Sequence, residues 1–291
     1  MPAEALQYAR EELFNTHLYE WLSRQVSTPS LKAVLKKFAS EERKHYDFWR
    51  RWVPTTVRYN RFRLVWYQLL AKVLGTTFVL RLLEEREHQT IAEYRRIADR
   101  LPEAERTELL HLIQEEETHE TEFLAAVQEN EARLRYVGFI VLGLSDAIIE
   151  VTGVHAGFLG VSHRPLIAGI AGLIVGFAAS ISMGSAAYLQ AKQNTQVSPF
   201  QSALYTSVAY LIAVVLLALP YFFLGRMSAA FWSSVGLALV LIWGFVYYSS
   251  VLFERSFGRE ALESTGVLGA TALLSYGFGE LLRYLFPEAA L

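Results

Sequence analysis

The sequence predicts an all-α protein in two parts, a charged four-helix bundle over residues 1–132 and a five-helix membrane domain over residues 133–291. Three observations predict it. Glu, Arg and Lys crowd the chain as far as Arg135 and then nearly vanish. Three later stretches, Pro165–Ala191, Gln193–Gly225 and Met227–Phe253, hold no Asp, Glu, Lys or Arg, and each exceeds the roughly 20 residues a helix needs to cross a bilayer. The charged half instead carries apolar residues at helical spacing, broken twice by the same polar pattern, Glu-x-x-His. The net charge of −2 averages these unlike halves and gives no sign of a nucleic-acid partner. The absence of cysteine excludes disulfides, thiolate metal sites and cysteine nucleophiles.

In the charged half, the second helical pattern, about residues 30–52, sets Leu35, Phe38, Glu42, His45, Trp49 and Trp52 on one stripe. The fourth, about 103–130, does the same with Leu109, Leu112, Glu116, His119 and Phe123. Residues three and four apart share a helix face, so "EERKH" and "EEETH" each point one Glu and one His inward. Two such pairs, plus a Glu from each of two other helices, make a di-iron carboxylate site. Glu12 in the first helix precedes Tyr19 by seven residues, and Glu87 in the third precedes Tyr94 by seven. The domain therefore reads as an internal repeat of two helix pairs. Around Glu87 the choice stays open: Glu84 and Glu87 share a face with Leu80 and Ile91, Glu85 faces solvent, and His88 borders the inner face. In the first helix Glu11 is a weaker rival to Glu12. Carboxylate and imidazole donors suit iron and manganese, and zinc can also occupy such a set.

Residues 64–83 are apolar enough to suggest a span. A span there would separate the first two helices from the last two and destroy the four-helix site. The segment is instead expected to extend the third helix and to pack on the membrane surface or on a partner subunit.

In the membrane half, spans are expected at about 136–160, 165–190, 200–224, 229–253 and 264–285. Arg133, Arg135, Lys192, Arg255 and Arg259 lie on the side of the N-terminal domain; Arg164, Arg226 and Arg283 lie on the other. By the positive-inside rule the N-terminal domain is cytoplasmic and the C-terminus outside. No signal peptide is expected, and the location is the cell membrane. Gly153 with Gly157, Gly172 with Gly176, and Ser180 with Gly184 have the spacing that lets helices approach closely, read first as packing within the chain and second as a dimer face. Asp146 and Glu150 sit four apart in the first span, at a cost of about 2.5 to 3.5 kcal/mol each at a bilayer's centre. With Met183 of the second span they offer a site for a borderline divalent cation such as Fe²⁺. His155 is expected to reach the far interface, and Glu280 to pair with Arg283.

Residues 5–130, through Glu12 with Tyr19, "EERKH", Glu87 with Tyr94, and "EEETH", resemble the rubrerythrin-type ferritin-like domain. Residues 136–286, through "GLSDAIIEVTGVHAG" and "ISMGSAAYLQ", resemble the vacuolar iron transporter family. Together they are similar to the membrane-bound ferritin fusion. The resemblance implies a homodimer in a lipid bilayer that exports Fe²⁺, or Mn²⁺ in some members, in exchange for protons. It places Asp146 and Met183 on the translocation path. Eukaryotic members carry a Glu two turns before that Met, where this chain has Val175, and this raises the importance of Glu150. They also carry a helical insertion between spans two and three, where this chain has only "AKQNTQVSPFQ". The competing expectation is an enzyme, a membrane-tethered ferroxidase or peroxide-scavenging protein. A third is a regulatory N-terminal site that gates the membrane path by its metal occupancy.

Overall fold

A computed structural model describes residues 4–128, 132–162, 164–193 and 197–287. It is all-α, with ten α-helices among the described residues. The chain divides into two compact units, Met1–Glu131 and Ala132–Leu291.

The first unit holds α1 (Ala5–Gln25), α2 (Pro29–Arg50), α3 (Arg61–Leu74), α4 (Thr76–Ala98) and α5 (Glu103–Gln128). α1 packs on α2, α4 on α5, and α2 on α5, while α3 leans on α1 and α4. Pro29 opens α2 at its first turn, where a missing N–H costs nothing. Asn60 caps α3, its side-chain oxygen accepting from the backbone N–H groups of Phe62 (3.0 Å) and Arg63 (3.1 Å). The core at one end of the unit gathers Tyr8, Trp49, Tyr94, Leu109 and Ile113. Trp49 stands 4.8 Å from Tyr8 and 4.9 Å from Tyr94, ring to ring.

The single long third helix expected from the sequence is two helices. Gly75 adopts φ 99°, ψ 155° between α3 and α4, a conformation open essentially to glycine alone. Among its described residues the unit therefore has five helices rather than four.

The second unit holds α6 (Ala132–Val161), α7 (Pro165–Ala191), α8 (Pro199–Phe223), α9 (Met227–Phe253) and α10 (Phe257–Leu285). Tyr136–Val161, α7, α8 and α9 are each long and apolar enough to cross a membrane. Only 28–39% of the most apolar window of each is buried within the chain, so most of that surface faces outward, as lipid-facing helices require. The fifth expected span falls in α10, which does not reach the same apolar standard among the described residues: Arg259, Glu260 and Glu263 charge its first turns, and Glu280 and Arg283 its last. Those last two are hydrogen-bonded to each other, as expected.

α6 packs against α7, α8, α9 and α10, and α7 packs most extensively on α8. The small residues make these approaches. A Cβ on Gly153 would stand 3.1 Å from Thr271 of α10, and one on Gly160 2.6 Å from the Tyr276 carbonyl. On α7, a Cβ at Gly169 would stand 2.8 Å from Tyr221, and one at Gly176 would enter the Val214 side chain. The glycine faces are thus occupied inside the chain, the first of the two expected readings.

Candidate metal sites

In the first unit, α1, α2 and α5 bring Glu12, Glu42, His45 and Glu116 together. One ligand atom from each lies within 4.8 Å of the others, and all four residues are buried. Amphipathic spacing put each of them on the inner stripe of its helix. His119, 2% exposed, completes the cluster: its Nδ1 is 3.2 Å from Glu116 Oε2, and His45 Nδ1 is 2.9 Å from Glu116 Oε1. Glu116 thus lies between the two imidazoles.

The other ring nitrogens face outward to a second pair of carboxylates. His45 Nε2 is 3.1 Å from Glu115, and His119 Nε2 is 2.8 Å from Glu41. If a metal took the place of the Nδ1 proton, a carboxylate there would hold the remaining proton on Nε2 and keep the Nδ1 lone pair turned inward. Glu12 accepts from the Tyr94 hydroxyl, which in turn accepts from Trp49 Nε1 at 3.0 Å. Asn15 reaches Glu42 at 3.5 Å. The backbone at residues 84–88 is helical in α4, but the side chains of Glu84, Glu85, Glu87 and His88 lie outside the described residues, as does that of Phe123.

The electrostatics suit a cation. Burial alone would push the His45 imidazole down, but its hydrogen bond to Glu115 and the closeness of Glu116 and Glu12 outweigh burial and raise it to about 10. Burial pushes the Glu12 carboxyl up, and the Glu116 charge adds to this against the help of Glu42, His45 and Tyr94. Glu116 is opposed by burial too, yet its contacts with His119 and His45 lower it to about 2. A protonated His45 thus offsets part of the carboxylate charge when no metal is bound. A divalent ion offers the same positive charge to the same donors, and the mixed carboxylate and imidazole set fits iron, manganese or zinc.

In the second unit, Asp146 and Glu150 are half-buried one turn apart on α6. Tyr210 of α8 donates its hydroxyl to Glu150. Met183 of α7 packs, partly buried, against the core that includes Ala147, Val151 and Tyr210. Glu150 also lines a groove of about 760 Å³ between α6 and α10, and Val175 lines the same groove.

Residues 137–198 and 192–280 match the VIT (vacuolar iron transporter) family. The second unit is a VIT family domain. No curated protein matches the chain. The VIT family match and four helices long and apolar enough to cross a membrane support a multi-pass membrane protein that transports metal ions. The family match covers only the second unit and leaves the first to be read from its own geometry.

Within the VIT domain, His155 departs from expectation. It does not reach an interface but is fully buried, its ring 4.0 Å from that of Tyr221. Gly172 makes this possible, because any side chain there would occupy the imidazole's place.

Sequence reasoning missed Glu41, Glu115 and Tyr210. The first two left a signal, since both Glu-x-x-His motifs are preceded by a second Glu. Tyr210 left none, because its role depends on which face of α8 meets α6.

Proposed function

We propose that the chain exports a divalent metal, iron first and manganese next, from the cytoplasm in exchange for protons. In this reading the first unit is a cytoplasmic ferritin-like domain of rubrerythrin type with a di-iron centre, α10 is a fifth span that leaves the C-terminus outside, and the protein works as a homodimer. The observation that carries the proposal is the buried Glu12, Glu42, His45 and Glu116 cluster on a chain that continues into a VIT domain. A buried set of three carboxylates and an imidazole is costly without a positive partner. A metal ion supplies it, and Glu12, Glu42, His45, Glu116 and His119 are the described residues that would hold one. When bound there, iron would supply reversible one-electron chemistry. In the VIT domain, Asp146 and Glu150 receive the cargo ion, and their deprotonation couples its binding to proton movement. Glu150 supplies charge on the groove where relatives carry it at the position of Val175.

The experiment is Fe²⁺ flux from loaded vesicles containing the full chain. Asp146→Asn abolishes flux while the N-terminal site keeps its metal. Unchanged flux in that variant rejects the transport path.

One observation favours a second reading, a membrane-anchored ferroxidase: Tyr94 and Trp49, both oxidisable, form a hydrogen-bonded pair on Glu12. In Asp146→Asn protein, oxidation of added Fe²⁺ by dioxygen no faster than in buffer would eliminate it.

A further inference from the structure

Helix α3 has an outward face that neither the metal cluster nor the VIT domain explains. Phe62, Val65, Trp66, Leu69 and Val73 are 89%, 61%, 58%, 50% and 70% exposed. Their spacing places them on one side of the helix, while Tyr67 and Ala71 on the other side are buried against the rest of the first unit. Among the described residues of that unit only one other large apolar side chain, Leu110, is exposed, and less so than any of these. A contiguous apolar stripe on an otherwise charged surface marks something it covers.

We propose that α3 lies along a lipid surface, with this stripe in the boundary between headgroups and acyl chains of a bilayer containing anionic lipid. Charge argues for lipid over a second copy of the chain. α3 carries Arg61, Arg63 and Lys72 and no Asp or Glu. Arg61 and Lys72 flank the stripe and are exposed, whereas Arg63 is held by Glu11. Two α3 helices laid stripe to stripe would bring these cations together with no acid on either helix to answer them. A sheet of anionic headgroups answers them directly, with the apolar side chains below and Trp66 at the interface, where aromatic rings prefer to sit. Proximity adds to this. The apolar span of α6 begins at Tyr136, five residues beyond Glu131, where the first unit ends, so the bilayer is always within reach and the association is effectively intramolecular. Capping by Asn60 and the break at Gly75 delimit α3 as a separate short helix that can lie at its own angle.

The chain has no cysteine, so single labels can be placed without background. The test uses the full-length protein reconstituted in vesicles of phosphatidylcholine with a minority of phosphatidylglycerol. It carries a bimane label at Leu69→Cys or, as a control on an exposed part of α2, at Lys36→Cys. A nitroxide-bearing lipid should quench the Leu69 label several-fold more than the Lys36 label, and aqueous iodide should do the reverse. Equal access of iodide to the two labels overturns the proposal. A Leu69 label shielded from iodide yet untouched by the nitroxide lipid assigns the stripe to a protein partner and overturns it as well. Adding Phe62→Glu and Val73→Glu should release the Leu69 label to iodide with the metal content of the first unit unchanged. Both positions are exposed, so this variant does not threaten the fold, and continued quenching by the nitroxide lipid in it counts against the stripe.

Discussion

His119 of one Glu-Glu-x-x-His segment is held at 2.8 Å by Glu41 of the other. The reciprocal contact joins His45 to Glu115. Each segment thus offers one carboxylate to the cluster and uses the preceding one to orient the imidazole across from it.

This division separates two classes of variant. Glu116→Gln removes the carboxylate between both imidazoles and is expected to abolish metal retention by the first unit. Glu41→Gln leaves the inner donors in place and should weaken metal affinity about 10- to 100-fold, the usual cost of losing a carboxylate behind a histidine ligand. Metal titration of the two full-length variants in detergent distinguishes them. Equal losses would place Glu41 among the direct donors.

Stability of the chelator-treated protein should depend on pH in a defined direction. His45 is raised to about 10 from an ordinary 6.5, so its contribution is complete below 6.5 and is lost as pH climbs toward 10. Glu116 is lowered to about 2 from 4.5, so its contribution is complete above 4.5 and is lost as pH falls toward 2. Glu12 is raised, so it begins to cost stability as pH rises above 4.5. The metal-free first unit should therefore be most stable between about pH 4.5 and 6.5 by these groups. Urea unfolding followed by tryptophan fluorescence across pH 4 to 9 measures it; a maximum above pH 8 would contradict it.

In the VIT domain, Glu150→Gln should reduce Fe²⁺ flux strongly, and Val175→Glu in the same chain should restore part of it. The reason is geometric: both side chains line one groove, so the charge can be moved between them. No recovery would show that the groove is not the ion's route.

The glycines give a packing test. Gly160→Ala puts a methyl group 2.6 Å from one backbone atom of α10 and 2.8 Å from another, and overpacking of this kind costs about 1 to 3 kcal/mol. Gly75→Ala meets no atom within 4 Å, yet its backbone conformation alone costs about 1 to 3 kcal/mol. Gly236→Ala, in mid-helix with open space around it, should be neutral or stabilising by up to about 1 kcal/mol. Thermal unfolding in detergent ranks the three.

Much of this was legible in the sequence because helix periodicity and charge depletion are local signals. The inner stripes of α2 and α5 placed Glu42, His45, Glu116 and His119 without tertiary information, and uncharged runs located three of the four apolar spans within a few residues. What escaped depends on a partner far along the chain. The burial of His155 requires knowing that Gly172 faces it. The break at Gly75 was hidden because one glycine in an apolar run reads as a tolerated helix residue. The fifth span was read from apolar content in the middle of α10, while the charges at its ends set it apart from the other four.

The placement of α6 constrains how such a transporter can move. Packed against four neighbours and close to α10 at its glycines, the helix that carries both carboxylates is poorly placed to rock on its own. It is better suited to be the fixed post of the machine. Access to Asp146 and Glu150 would then alternate by other helices swinging past it, and the hydroxyl of Tyr210, reaching in from α8, is the point where such a swing would first be felt.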